Sequence, residues 1–131
     1  MSIKVMSSLA AALAARVDQV LPDGFQVSAT GTIVSLSTPT EEALRDIDIS
    51  LALNHVDNFS AAAAVAAWRV LNDFQDDVIA YLWEAWPTAE GHTSPAEAYG
   101  ESDQGVLRLG YRYSDSTVID LEPIDLTALC G

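Results

Sequence analysis

Asp73, Asp76 and Asp77 are the residues whose type and spacing most directly invite chemistry, because three carboxylates within five positions can hold a cation or exchange a proton. On a helix, Asp73 and Asp77 stand one turn apart and Asp76 is turned about 60° to 100° from them, so the three can share one exposed face. A cation site needs further oxygen ligands at fixed places and usually a glycine-bearing loop, and neither accompanies them. A solvated acidic face is the stronger reading. An enzyme with a carboxylate or metal site on Asp73 and Asp77 is the weaker one.

The other reactive residues are isolated. His55 would continue the inward phase of Leu51 and Leu53 if that strand runs on, and His92 lies in an acidic loop. Neither has a third ligand at a recognised spacing, and there is no HExxH. The serines sit in no GxSxG elbow, and no GxGxxG or phosphate-binding loop occurs. No catalytic, metal or cofactor-binding residue is expected, and no cofactor. Cys130 is the single cysteine, which excludes an internal disulfide framework and a cysteine metal site and fits a reducing, cytoplasmic setting. It does not stand fourth from the end, where prenylation needs it.

Charge narrows the partners. Nineteen acidic residues against six basic ones leave a formal charge of −13, which repels nucleic acid and anionic membranes. The basic residues, Lys4, Arg16, Arg45, Arg69, Arg108 and Arg112, are scattered. None falls between Val70 and Leu107, a stretch that holds Asp73, Asp76, Asp77, Glu84, Glu90, Glu97, Glu101 and Asp103. That field motivates a second class of function, an acidic inhibitor or nucleic-acid mimic that occupies a basic protein.

The elements that would position these residues follow from periodicity. At 131 residues and 50% hydrophobic content, one domain over 1–131 with one core is expected. Lys4 and the apolar run to Ala15 imitate a secretory signal. The helical stripe Val5, Met6, Leu9, Leu13, Val17 and Val20, which passes straight through Arg16 and Asp18, predicts instead a core helix over 3–21, stopped at Pro22-Asp23-Gly24. No apolar run approaches the ~20 residues that span a bilayer.

Phe25 to Ala29 and Thr32 to Thr38 alternate as strands. A Thr30-Gly31 turn would pair Val27 with Val34 and Phe25 with Leu36, which brings their apolar faces together. Thr38-Pro39-Thr40-Glu41 resembles a capping box that opens one helical turn. Ile47, Ile49, Leu51 and Leu53 mark a third strand. Asn58 or Ser60 caps a long helix that Pro87 ends near Trp86. The segment 87–104 reads as a long, acidic, mobile loop. The last strands, 106–113 and 117–124, form a hairpin that sets Tyr111 opposite Ile119 and Leu109 opposite Leu121, with Arg108 facing Glu122 and Arg112 diagonal to Asp120. The expected fold class is α+β: an antiparallel five-stranded sheet, order α-β-β-β-α-β-β, with the helices packed on one face.

The long helix carries the functional expectation. At 100° per residue its apolar side chains, including Val65, Trp68, Val70, Phe74, Tyr81, Trp83 and Trp86, cover roughly 220°, against the ~100° stripe of an ordinary surface helix. Either the first helix covers the excess, or a second copy or another protein does. The candidate partner-binding residues are Trp68, Val70, Phe74, Tyr81, Trp83 and Trp86, grouped as a Val70-Phe74-Tyr81 flank and a Trp68-Trp83-Trp86 flank; tryptophan concentrates at binding hot spots.

The order of elements, the size and the acidity over about 3–124 resemble the type III secretion chaperone fold, including its YbjN-type relatives outside secretion systems. That resemblance rests on topology, length and low pI and on no shared motif, and it carries no functional residue over. It implies a small homodimer that binds a segment of another protein without catalysis. The chain departs from it at the end, since only 125–131 remain where those chaperones place a further helix. The functional expectation is a non-catalytic, chaperone-like or adaptor-like homodimer.

Overall fold

The computed structural model describes residues 3–53 and 58–129; His55 and Cys130 lie outside them. The described residues form an α+β fold, with two long helices, two single-turn helices and two antiparallel sheets of three and four strands among them. The single five-stranded sheet expected above is thus corrected: the strands before and after the long helix do not join.

Helix α1 (Ile3–Asp18) ends three residues before the expected stop and buries Met6, Leu9, Leu13 and Val17, four of the six residues of the predicted stripe, against strands β1 (Gln26–Thr30) and β2 (Ile33–Ser37). The β1–β2 hairpin turns at Gly31-Thr32, one residue later than expected, so Val27 meets Leu36 and Ala29 meets Val34. A shift of the turn by one residue moves each partner by two and keeps every apolar side chain on its face. Gly31 at φ 60° explains the choice, because a two-residue hairpin turn with glycine first takes the II′ form.

Strand β3 (Arg45–Asp48) pairs with β2 and is shorter than the alternation from Ile47 to Leu53 predicts. Asp48 ends it. One carboxylate oxygen, Oδ1, accepts from the Ser50 N–H (3.0 Å), the Ser50 hydroxyl (2.6 Å) and the Thr32 hydroxyl (2.8 Å), which starts the single turn α2 (Ser50–Leu53). The expected helical turn at Thr38 is a hydrogen-bonded turn instead, with Thr38 Oγ1 accepting from the Glu41 N–H at 3.1 Å.

Helix α3 (Phe59–Leu82) is about 36 Å long and is capped by Asn58, whose side chain accepts from the Ala61 N–H at 3.2 Å. It packs on strands β4 (Glu97–Asp103) and β5 (Val106–Arg112). On its other side, Tyr81 meets Phe25 edge-on at 5.1 Å and Asp77 pairs with Arg45 of β3. One continuous core results, running from Leu9 of α1 through Phe74 to Leu107 and Tyr111 of β5.

Strand β5 takes β4 on one side and two short strands in succession on the other, β6 (Val118–Asp120) and β7 (Ile124–Asp125), before the final turn α4 (Leu126–Leu129). Tyr111 lies opposite Ile119 as expected, and the Leu121 N–H reaches the Leu109 carbonyl at 3.1 Å. The expected single strand then breaks at Pro123, which has no N–H to continue the ladder. Arg16 of α1 occupies the break: its Nε donates to the Glu122 carbonyl at 3.0 Å and its Nη2 to the Pro123 carbonyl at 3.3 Å. Among the described residues, no helix is long and apolar enough to cross a membrane.

Candidate protein-binding surface

The long helix has more apolar surface than the fold covers. Ala66, Val70, Phe74, Leu71 and Val78 point into the core and span roughly 140° at 100° per residue. Val70 and Phe74 are fully buried, so of the expected partner-binding residues these two serve packing and offer a partner no surface. Tyr81 leans on Phe25, and Trp86 meets Tyr111 edge-on at 5.6 Å, half-buried beyond the end of the helix.

Trp68 and Trp83 remain outside, 46% and 92% exposed, on the same flank as Val65 (48%) and Ile79. The helix ends at Leu82, four residues before the expected stop. Trp83 itself makes the cap. At φ 59°, ψ 29° it is left-handed, and its N–H donates to the Ile79 carbonyl at 2.8 Å. Glycine is the usual residue in that conformation, and a bulky side chain there carries about 1–2 kcal/mol of strain.

Beside this flank runs β4, in a segment whose composition predicts a mobile loop. Its signals are weak: acids face out, and Ala98, Gly100 and Ser102 face the helix. The small residues are there because α3 passes at backbone distance. A Cβ on Gly100 would stand 2.4 Å from the Ala64 carbonyl oxygen and 3.1 Å from the Trp68 nitrogen. The β4–β5 turn, Gln104-Gly105, has positive φ at both positions (51° and 80°), the I′ form that holds a tight hairpin. Such a turn makes Asp103 and Val106 a hydrogen-bonded pair, so the alternation of the ladder aims the N–H and C=O groups of Ala98, Gly100 and Ser102 away from β5. Among the described residues no strand pairs with that outer edge.

On the outer face, Tyr99 stands opposite Gly110, and its hydroxyl donates to the Asp120 carboxylate one strand further on. Partial burial first, and the hydrogen bond to Asp120 second, push the Tyr99 hydroxyl well above the ordinary tyrosine value, so it stays a donor. Arg112 lies 4.8 Å above the Tyr99 ring and donates to Glu101 at 2.6 Å. Arg112 keeps the expected diagonal position to Asp120, but its ion pair goes to Glu101. Arg108 stands in register with Glu101 of β4, and Glu122 meets Arg16 through its carbonyl.

The segment before β4 is fastened and not loose. Gln75, a buried amide on α3, donates to the Ala96 carbonyl at 2.5 Å and the Trp86 carbonyl at 3.2 Å. Tyr113 donates to the Ser94 carbonyl at 2.8 Å and accepts from the Ala89 N–H at 3.2 Å. His92 stacks on Tyr113 with ring centroids 3.9 Å apart and sets Nε2 at 2.9 Å from Asp115 Oδ2. The Asp115 contact, more than any other, raises the His92 pKa above its ordinary 6.5. Asp115 is held down to about 2, first by the Thr117 N–H and then by His92.

A folded pKa raised above the unfolded one gives stability that is full below about 6.5 and is lost as pH rises through the raised value; the depressed Asp115 gives stability that is full above about 4 and is lost as pH falls through about 2. The clasp is therefore tightest between about pH 4 and 6.5. We expect His92 to titrate above 6.5 by NMR, with amide exchange at Ala89 speeding up over the same range. A titration at or below 6.5 would contradict the clasp.

The aspartates of the long helix do not form a centre. Asp77 takes Arg45 through both its oxygens, Asp73 lies 3.6 Å from Arg69, and Asp76 is exposed. Among the described residues no three of His, Cys, Asp and Glu stand where they could share a metal ion. Compared with family models, curated proteins and solved structures, the chain matches none.

Proposed function

We propose that this chain is a non-catalytic protein-binding module, chaperone-like or adaptor-like in kind, that works as a homodimer in a reducing cytoplasm. The observation that carries the reading is Trp83, a tryptophan 92% exposed and kept in a left-handed cap that glycine would fill with less strain. An exposed, strained aromatic beside Ile79 and Ala80 forms an apolar patch of the kind proteins bury against one another. The acidity supports the absence of nucleic-acid and membrane partners, and the single cysteine supports the compartment.

The second copy is expected on the Ile79–Trp83 end of α3. In light scattering coupled to size exclusion, the parent chain should run near twice 14.0 kDa at low and high salt, and Trp83→Asp should run as a monomer with unchanged far-UV circular dichroism. Aspartate tolerates the left-handed conformation, so the cap survives the change. A variant that stays dimeric would remove Trp83 from the interface.

A further inference from the structure

The outer edge of β4 is a strand-length template with a built-in charge pattern, and we infer that it accepts an extended, basic segment of another protein as an added antiparallel strand. The inference rests on the protein-binding reading and names the partner's chemistry.

Three features define the occupant. The N–H and C=O groups of Ala98, Gly100 and Ser102 face outward in a row, which is what strand addition requires. Trp68 and Ala98 lie between two depressions that run on either side of them, of about 370 and 490 Å3, so residues of an added strand that point toward α3 meet Trp68 and Val65. On the opposite face, Arg112 neutralises Glu101, whereas Glu97 and Asp103 have no ion-pair partner among the described residues. The segment that fits therefore alternates, with apolar residues toward α3 and basic residues opposite Glu97 and Asp103, six positions apart.

A second copy of this chain fits the edge badly. Two β4 strands can align their outward groups antiparallel in three central registers. These set Glu97 opposite Glu101, Glu97 opposite Asp103, or Glu101 opposite Glu101. Each puts carboxylate against carboxylate, which destabilises a ladder. The edge repels its own kind and selects a cation-bearing strand, while the Trp83 end of α3, about 22 Å further along the helix from Trp68, is left for self-association.

The test uses the whole chain and the capped peptide Lys-Val-Thr-Val-Thr-Val-Lys. Calorimetry should show binding that weakens with salt, and hydrogen exchange should show new protection at Ala98, Gly100 and Ser102. Two controls separate backbone pairing from charge. Methylating the valine nitrogens removes the pairing groups and leaves the charges, and it should cost at least about tenfold in affinity. Replacing both lysines with glutamate should abolish binding.

Ser102→Pro should reproduce the first control from the protein side. It removes only an outward N–H, and proline is tolerated on an edge strand. Equal binding of the methylated peptide, or no binding of the parent peptide, would overturn the inference, as would protection of the three amides in the peptide-free dimer. The Trp83→Asp mass measurement is independent of all of these, so strand addition and dimerisation can fail separately.

Discussion

Gly100→Val is expected to destabilise the chain by about 3 kcal/mol or more, with the urea midpoint falling and the melting temperature dropping on the order of 10 °C. The glycine is needed for space and not for an unusual backbone angle. Its missing side chain is the gap through which the Ala64 turn of α3 crosses β4, and even one carbon would stand 2.4 Å from a helix carbonyl that cannot retreat without lifting the helix. Valine adds two further methyl groups, on a strand where it is otherwise a favoured residue. A propensity-based expectation would predict a gain, so the sign alone is decisive. An unchanged midpoint would mean that α3 does not cross β4 at this distance.

Phe74→Ala is the second large effect, a loss of about 3–5 kcal/mol from deleting a fully buried aromatic at the centre of the core. Set against a total of about 5–15 kcal/mol for a domain, that leaves the variant close to the unfolding threshold. Trp83, nine residues further along, should behave oppositely: its replacement by aspartate should leave stability level or raise it by about 1 kcal/mol as the cap strain is relieved, and its cost should fall on association. Equilibrium unfolding of the two variants side by side tests the division of α3 into a packing face and a presenting face. A small loss for Phe74→Ala would return that residue to the partner-binding group.

Periodicity located both long helices, the Asn58 cap, the first hairpin's faces and the Tyr111–Ile119 pairing, because each is a local pattern with a local cause. Where the reading failed, the cause was not local. β4 gave little signal because its packing relies on close approach by small residues, and hydrophobic pattern does not register a glycine facing a helix backbone. β3 was read too long because the alternation of Ile47, Ile49, Leu51 and Leu53 outvoted Asp48, a single carboxylate that three donors turn into a strand stop. One sheet became two because the strand pattern carries no information on which edges meet.

The binding residues show the same limit. An apolar arc of roughly 220° announces that a helix needs two kinds of cover, but which side chains go inward depends on where the sheets lie. Val70 and Trp83 looked alike along the chain; packing separated them.

Arg16 closes the fold across a separation of 106 residues, joining the first helix to the carbonyls beside Pro123. During synthesis that bond has no acceptor until Glu122 and Pro123 have been made, and the neighbouring packing of α1 against α4 waits slightly longer. The first helix therefore leaves the ribosome with part of its environment still unwritten. Its completion waits for about a hundred further residues, and in that interval its apolar stripe is a natural client for whatever shields nascent chains.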